Sequence, residues 1–289
     1  VVTYEARKAA PAVRRRVELG GFLRARRARL TPGDFGMPAG PRRRTPGLRR
    51  EEVALLAGVG VTWYTWLEQG REINASTQVL DAIARTLRLD PAERHHLYVL
   101  AEAVPVLAAT ARCVLPAAVK EIVRSLDPLP AVVTNGRFDV LAENGAYRDL
   151  FRDWHDGRPC VQRNGLWCCL TEPAARDKFP QYEAEMRYMV ARLRSAYARY
   201  VGDPDWEEDI RRLSNLSSEF ARLWALHEVV EPEMRTRTYA HPAAGPLTFT
   251  VAELGIPEWT SARIVVYTPA DDQSRQRLPL SRPATGEAR

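Results

Sequence analysis

The stretch VALLAGVGVTWYTWLEQG, residues 53 to 70, constrains this chain more tightly than any other. It opens small and apolar, turns at Gly58, and then carries Trp63, Tyr64 and Trp66 within four residues. A glycine after an apolar helical pattern is a stop, because it takes the left-handed backbone that closes a helix without a Cβ penalty. The pattern predicts one helix ending before Gly58 and a second over about Val61–Gln69, stopped by Gly70. A helix advances about 100° per residue. Tyr64 and Leu67 therefore share one face of the second helix, with Glu68 beside them. Thr62, Thr65, Trp66 and Gln69 share the opposite face, and Trp63 lies between. Val53 and Ala57 give the first helix its inward stripe, and small Ala54 lets the two helices approach. Tyr64 is thus assigned to the core and Trp66 to the outside.

Two short helices on such a turn make a helix-turn-helix, whose second helix enters the major groove of DNA. The flanking pattern supplies three more helices. Leu19, Phe22, Leu23 and Leu30 form an apolar stripe before the Pro- and Gly-rich loop TPGDFGMPAGPRRRTPG. Ser76 N-caps TQVLDAIARTLRL, and Asp90-Pro91-Ala92-Glu93 is a capping box with proline at the first helical position. Charge agrees with a polyanion partner. Residues 1–112 carry +8 and residues 113–289 carry −2, and residues 1–50 hold 14 Lys and Arg against 3 acids. Lys8, Arg14, Arg15 and Arg16, the loop residues Arg42, Arg43 and Arg44, and Arg71 are candidates for phosphate or minor-groove contact, which gives affinity without much specificity.

After AVPVLAATARCVLP, which reads as a linker, the pattern changes. AVVTNGRFDVLAEN is two β-prone runs around Asn135-Gly136, a strong hairpin signal. A short helix follows over Gly145–Phe151, and KFPQYEAEMRYMVARLRSAYARYV is amphipathic with Met186, Met189, Val190, Leu193 and Tyr197 on one side. Two more helices, in DWEEDIRRLSNLS and SSEFARLWALHEV, precede three strands, RTRTYAH, PLTFTVAEL and ARIVVYTP. The order suits an antiparallel sheet with helices on one side. The fold class expected is multidomain: an all-α five-helix domain followed by an α+β domain.

Catalytic and metal motifs are missing. There is no GxSxG, GxxxxGK[ST] or HExxH, and His227-Glu228 lacks the second histidine. Cys113, Cys160, Cys168 and Cys169 form no CxxC pair and read as reduced thiols. No catalytic residue, metal or required cofactor is expected. The start, VVTYEARKAAPAVRRRV, has no apolar core segment, and no run approaches the ~18 apolar residues of a membrane span. A cytoplasmic location without a membrane partner is expected. Aromatic residues fall where they would surround the sheet: Phe138, Tyr147, Phe151, Trp154 and Trp167, then Tyr182, Tyr188, Trp224, Tyr239 and Phe249. A subset of these, with Met186 and Met189, is expected to line a small-molecule site. Arg222, His227, Arg235 and Arg237 are candidate partners for an acidic head group.

RREEVALLAGVGVTWYTWLEQGRE resembles the helix-turn-helix of XRE/Cro-type bacterial regulators. LGGFLRARRARLTP and PAGPRRRTPGLRREEVALLAG resemble, more narrowly, the MmyB-like regulators of actinomycetes and relatives. LPAVVTNGRFDVLAEN, RLSNLSSEFARLWALHEV and YAHPAAGPLTF resemble that family's C-terminal ligand-binding domain, so the resemblance runs roughly from Leu19 to Leu278. It implies a five-helix DNA-binding domain and a PAS-like domain binding a fatty acid or similar small apolar molecule. By position, Arg50 falls where such regulators touch phosphate, and Arg49 before it is a further candidate for DNA contact. Val61, Thr62, Thr65 and Trp66 fall where bases are read. Arg27 and Glu68 fall where the fold pairs an arginine of the first helix with a glutamate of the recognition helix, which implies a structural ion pair. Two positions depart from the pattern. Gly60 replaces a common Ser cap. Trp66 replaces an arginine, so a bidentate guanine contact gives way to packing on a thymine methyl.

The domains expected are a basic arm over 1–16, the XRE-type domain over 17–104, a linker over 105–117, the PAS-like domain over 118–280 and a loose tail over 281–289. The function expected is sequence-specific transcription regulation by a homodimer on double-stranded, palindromic DNA, controlled by the small apolar ligand. The alternative is a back domain serving only dimerisation or protein interaction, without a ligand.

Overall fold

The structure is a computed structural model that describes residues 2–38, 47–102, 115–152, 163–257, 259 and 261–280. It divides into two compact units, Val1–Ala109 with Arg194–Val230, and Thr110–Leu193 with Glu231–Arg289.

The first unit begins with α1 (Val2–Ala28). The stretch expected as a basic arm, 1–16, is helical from Val2 and continuous with the rest of α1, since Ala, Arg, Glu and Lys favour helix. Four shorter helices follow, α2 (Arg50–Ala57), α3 (Val61–Glu68), α4 (Thr77–Thr86) and α5 (Pro91–Leu100). Their ends follow the local chemistry. Gly58 closes α2 in the left-handed region at φ 67°. Ser76 accepts the Val79 N–H and Asp90 accepts the Glu93 N–H, each satisfying a backbone donor that the helix leaves open. Leu19, Phe22 and Leu23 of α1 share a core with Leu48, Val53, Ala54, Tyr64, Leu67, Leu80 and Ile83, all buried. At Gly20, α1 and α3 come so close that a Cβ would fall 2.3 Å from the Glu68 carbonyl oxygen.

The same unit takes in Arg194–Val230, with helices Pro204–Leu216 and Ser218–Ala225. This segment falls within the span 118–280 expected as one domain, and it packs in the first unit all the same. An amphipathic helix announces that it has a partner core, not which one.

The second unit holds a five-stranded sheet of β1 (Ala131–Asn135), β2 (Val140–Glu143), β3 (Arg235–His241), β4 (Gly245–Gly255) and β5 (Ala262–Pro269). The order is β2-β1-β5-β4-β3 and every pairing is antiparallel. With its helices it makes an α+β domain. The β1–β2 turn takes its left-handed residue at Phe138 (φ 69°), while the Asn135 side chain accepts the Arg137 and Asp139 N–H groups. Both faces of the sheet are covered, not one as the element order suggested. Ala131, Val133, Ala262, Ile264 and Val266 pack with Leu115, Val119 and Val123 of the helix Ala117–Ser125. Alternation sends Val265 and Tyr267 to the other face. That is why central β5 reads as a nearly unbroken apolar run. Asn144 fastens the next helix, Gly145–Leu150, to the sheet edge: its oxygen accepts the Ala131 and Tyr147 N–H groups, and its amide donates to Leu129 O. Among the described residues no helix is long and apolar enough to cross a membrane.

Candidate DNA interface and ligand cluster

α3 starts at Gly60, whose missing side chain leaves the helix without a side-chain cap. Tyr64, Leu67 and Glu68 are buried, Trp63 and Thr65 half-buried, and Val61, Thr62, Trp66 and Gln69 exposed. Trp66 is 39% exposed, far more than a core tryptophan. Arg71 lies just past the helix with its guanidinium carbon 5.6 Å from the Trp66 ring centroid, and its N–H returns to Trp66 O at 3.0 Å. Arg49 is exposed and reaches Glu51 at 3.5 Å. Arg42, Arg43, Arg44 and the Lys8 side chain lie outside the described residues.

Beneath that face, Glu68 collects two arginines. Arg27 donates Nε and Nη2 to its two oxygens at 2.6 and 3.1 Å. The same guanidinium also reaches Leu48 O. Arg50 donates Nε to Glu68 Oε2 at 2.7 Å. Arg27 is thus an anchor between α1 and α3, its side chain only 12% exposed. Arg50, placed by resemblance on phosphate alone, spends one donor on Glu68 and leaves the rest of its half-exposed guanidinium facing outward.

Arg222, Trp224 and His227 were expected beside the sheet, and the structure puts them in the first unit. Arg222 is exposed there. Trp224 lies under the Arg194 guanidinium, 3.8 Å from ring centroid to carbon. His227 accepts from Arg194 Nη1 at 3.1 Å, and its backbone carbonyl accepts from Arg26. Burial, then the Arg194, Arg26 and Arg24 charges, push the His227 imidazole down to about 3. Burial likewise holds His96 well below the ordinary imidazole range, with Arg194 and Arg26 adding to it. His227 is therefore neutral at pH 7, and its 3.9 Å approach to Glu18 is not an ion pair. Linkage fixes the sign of the pH effect. The unfolded imidazoles take protons near pH 6.5 while the folded ones do not, so acid favours the unfolded chain. Stability should be level in this respect above about pH 6.5 and fall from there toward pH 3. The melting temperature of the full chain should drop between pH 7.5 and 5, and His227→Gln should flatten part of the slope. A wild-type profile flat over that range would contradict the assignment.

The second unit gathers six rings on one sheet face. Tyr147 and Phe151 of the neighbouring helix stand 4.7 Å apart between centroids, and Phe151 and Phe179 meet Tyr239 of β3 at 5.6 and 5.4 Å. Phe249 of β4 and Tyr267 of β5 complete the group, each about 6 Å from Tyr239. Burial raises all three phenols above their usual range and keeps them un-ionised. The Tyr239 hydroxyl makes no hydrogen bond of good geometry among the described residues, although Arg237 and Tyr267 adjoin it. Glu185 holds Arg235 at 3.1 Å and Arg237 at 2.9 Å, and both guanidiniums lie over the Tyr188 ring. Burial opposes the Arg237 charge, but Tyr239 and Glu185 outweigh it and keep the group cationic.

Of the other sequence candidates, Tyr182 and Met186 are buried, and the Tyr182 hydroxyl donates to Cys169 O at 3.0 Å. Met189 is buried too, on the same helix, Tyr182–Tyr197. Phe138 and Trp167 are half-buried, Phe138 in the hairpin turn and Trp167 on the helix Gly165–Thr171. Phe179 and Tyr267 join the cluster from outside the sequence candidates. Tyr267 had a signal, an aromatic within the apolar run of β5. Phe179 had none, sitting between helices before Pro180.

A family model described as the MmyB-like transcription regulator ligand binding domain matches residues 115–280. A second, described as a helix-turn-helix domain, matches residues 18–97. A comparison with curated proteins finds no match.

Proposed function

The chain belongs to the MmyB-like transcription regulators, and on that premise we propose that it reads DNA through α3 and answers to a small, largely apolar molecule bound in the aromatic cluster. Thr62, Thr65 and Gln69 take base edges in this reading, and Val61 and Trp66 pack on thymine methyls and sugars. Arg49, Arg50 and Arg71 take phosphates, joined by Arg42, Arg43 and Arg44. The protein acts in the cytoplasm as a homodimer on a palindromic site, which adds a second half-site about 34–36 Å away or a multiple of it.

The observation that supports the ligand half is the buried Tyr239 hydroxyl, which the aromatic rings surround and whose polar neighbours, cationic Arg237 and Tyr267, reach it without good hydrogen-bond geometry. A buried polar atom held this loosely gains from a better-placed acceptor, which a bound water or a ligand head group supplies. A fatty acid suits it, its chain against the rings and its carboxylate toward Arg237 and Tyr239. A second reading rests on the ring spacings of 4.7 to 6.2 Å, which are those of a filled core. There the domain serves dimerisation or protein contact and takes no ligand.

Native mass spectrometry of the full chain, followed by denaturing extraction, separates the two. A dimer carrying an apolar acid, whose removal or addition changes affinity for a duplex selected from a random library, is the expected result. A clean dimer with DNA affinity indifferent to added long-chain fatty acid would leave the second reading standing.

A further inference from the structure

α1 is loaded on two opposite sides. At about 100° per residue, positions 20 and 27 point within roughly 20° of each other, and positions 18, 21 and 26 spread around the opposite side. The first side belongs to α3. Gly20 touches the Glu68 backbone and Arg27 holds the Glu68 carboxylate. The second side belongs to Arg194–Val230. Glu18 takes Arg194 Nη1 at 2.7 Å, Arg26 donates to His227 O, and a Cβ on Gly21 would fall 2.7 Å from the His227 ring.

Arg194 is the centre of that second contact. Its residue is 1% exposed, and beyond Glu18 and His227 it donates to Trp224 O at 2.5 Å while stacking on the Trp224 ring. A buried cation is weak evidence of stabilisation, since desolvation offsets the attraction. Its geometry, however, is fixed by a fork with three separate acceptors, which no apolar contact would impose. His227 itself sits at φ 52°, a left-handed backbone that a non-glycine residue adopts only when its surroundings hold it there. The contact therefore sets a position more than it adds stability.

We propose that Arg194 and His227 are positioning residues for DNA recognition, setting the place of α3 through α1. This rests on the reading of α3 as the recognition helix. Residues 194–230 lie within the stretch matched by the ligand-binding family, so a part of that stretch holds the recognition helix in register. A change in how 194–230 seats on α1 then changes specific affinity without any contact to DNA.

The test uses full-length Arg194→Met, Arg194→Lys, Glu18→Gln and His227→Gln. All are measured at a temperature where far-UV circular dichroism and melting curves show them folded. The probes are a duplex selected by the wild-type chain and an unrelated duplex of equal length. Non-specific affinity is phosphate-driven and should not depend on the exact place of α3. Arg194→Met should lose about tenfold or more on the selected duplex and stay within about twofold on the unrelated one. Amides of α3 should exchange faster with deuterium. Arg194→Lys should fall between, keeping the charge for Glu18 but not the fork. Should Arg194→Met fail to fold, Glu18→Gln and His227→Gln carry the same expectation in milder form. Variants that melt lower yet bind the selected duplex as wild type does would overturn the proposal and leave a merely structural contact. A wild-type chain that selects no duplex would instead overturn the DNA-recognition reading of α3.

Discussion

Gly20→Ala should destabilise the first unit and remove sequence-selective DNA binding. Helix propensity argues the other way, since alanine inside a helix is favoured over glycine by about 0.5–1 kcal/mol. Contact decides the sign. The new Cβ would stand 2.3 Å from the Glu68 carbonyl oxygen and 3.0 Å from its carbon. Both are backbone atoms of α3 and cannot swing aside, so one helix must shift. Overpacking of this kind costs about 1–3 kcal/mol, and here the shift falls on the helix that carries Thr62, Thr65 and Trp66. Gly33→Ala is the control, because the nearest atom to its Cβ is Thr31 Oγ1 at 3.6 Å, an ordinary contact. Melting curves and binding to a selected duplex give the readout. A Gly20→Ala chain as stable as the Gly33→Ala control would mean that α1 and α3 are not held at this distance.

Glu68→Ala should have the larger effect on stability alone. The carboxylate side chain is fully buried and accepts from both Arg27 and Arg50. Deleting it strands the Arg27 charge, and breaking a buried pair in this way costs about 3–5 kcal/mol. The companion change distinguishes the pair from its packing. Arg27→Met combined with Glu68→Gln removes both charges and keeps most of the volume, and should recover a good part of the loss, because neither charge then has to be desolvated. Urea midpoints of the three chains measure this. A double variant no more stable than Glu68→Ala would assign the effect to shape and to the lost Arg27–Leu48 hydrogen bond.

Much of the reader was legible in the sequence because its signals are local. Gly58 stops α2, Ser76 and Asp90 cap α4 and α5, and a period near 3.6 sorts Tyr64 and Leu67 inward from Thr62 and Trp66 outward. The strands were legible for the same reason, alternation in β4 and a hairpin around Asn135. What escaped depends on contacts distant in sequence. Nothing local tells that Arg50 turns back to Glu68, or that Trp224 and His227 serve α1 and not the sheet. Membership of the aromatic cluster split along the same line. Tyr147, Phe151, Tyr239 and Phe249 could be picked from their elements, while Phe179 enters only through tertiary packing against Tyr239.

The divided first unit also sets an order of events during synthesis. Its early part ends at Ala109 and its late part at Val230, with most of the second unit's helices and its first hairpin between. At about 5–20 residues per second, that interval takes roughly 6–24 s on the ribosome. Throughout it, the side of α1 that carries Glu18, Gly21 and Arg26 waits for Arg194 and His227. The reader is therefore finished only when residue 230 has emerged. The sheet is finished later still, when β5 has followed. A nascent chain cut short before residue 230 has the whole matched helix-turn-helix stretch, 18–97, and lacks the fastening on the far side of α1.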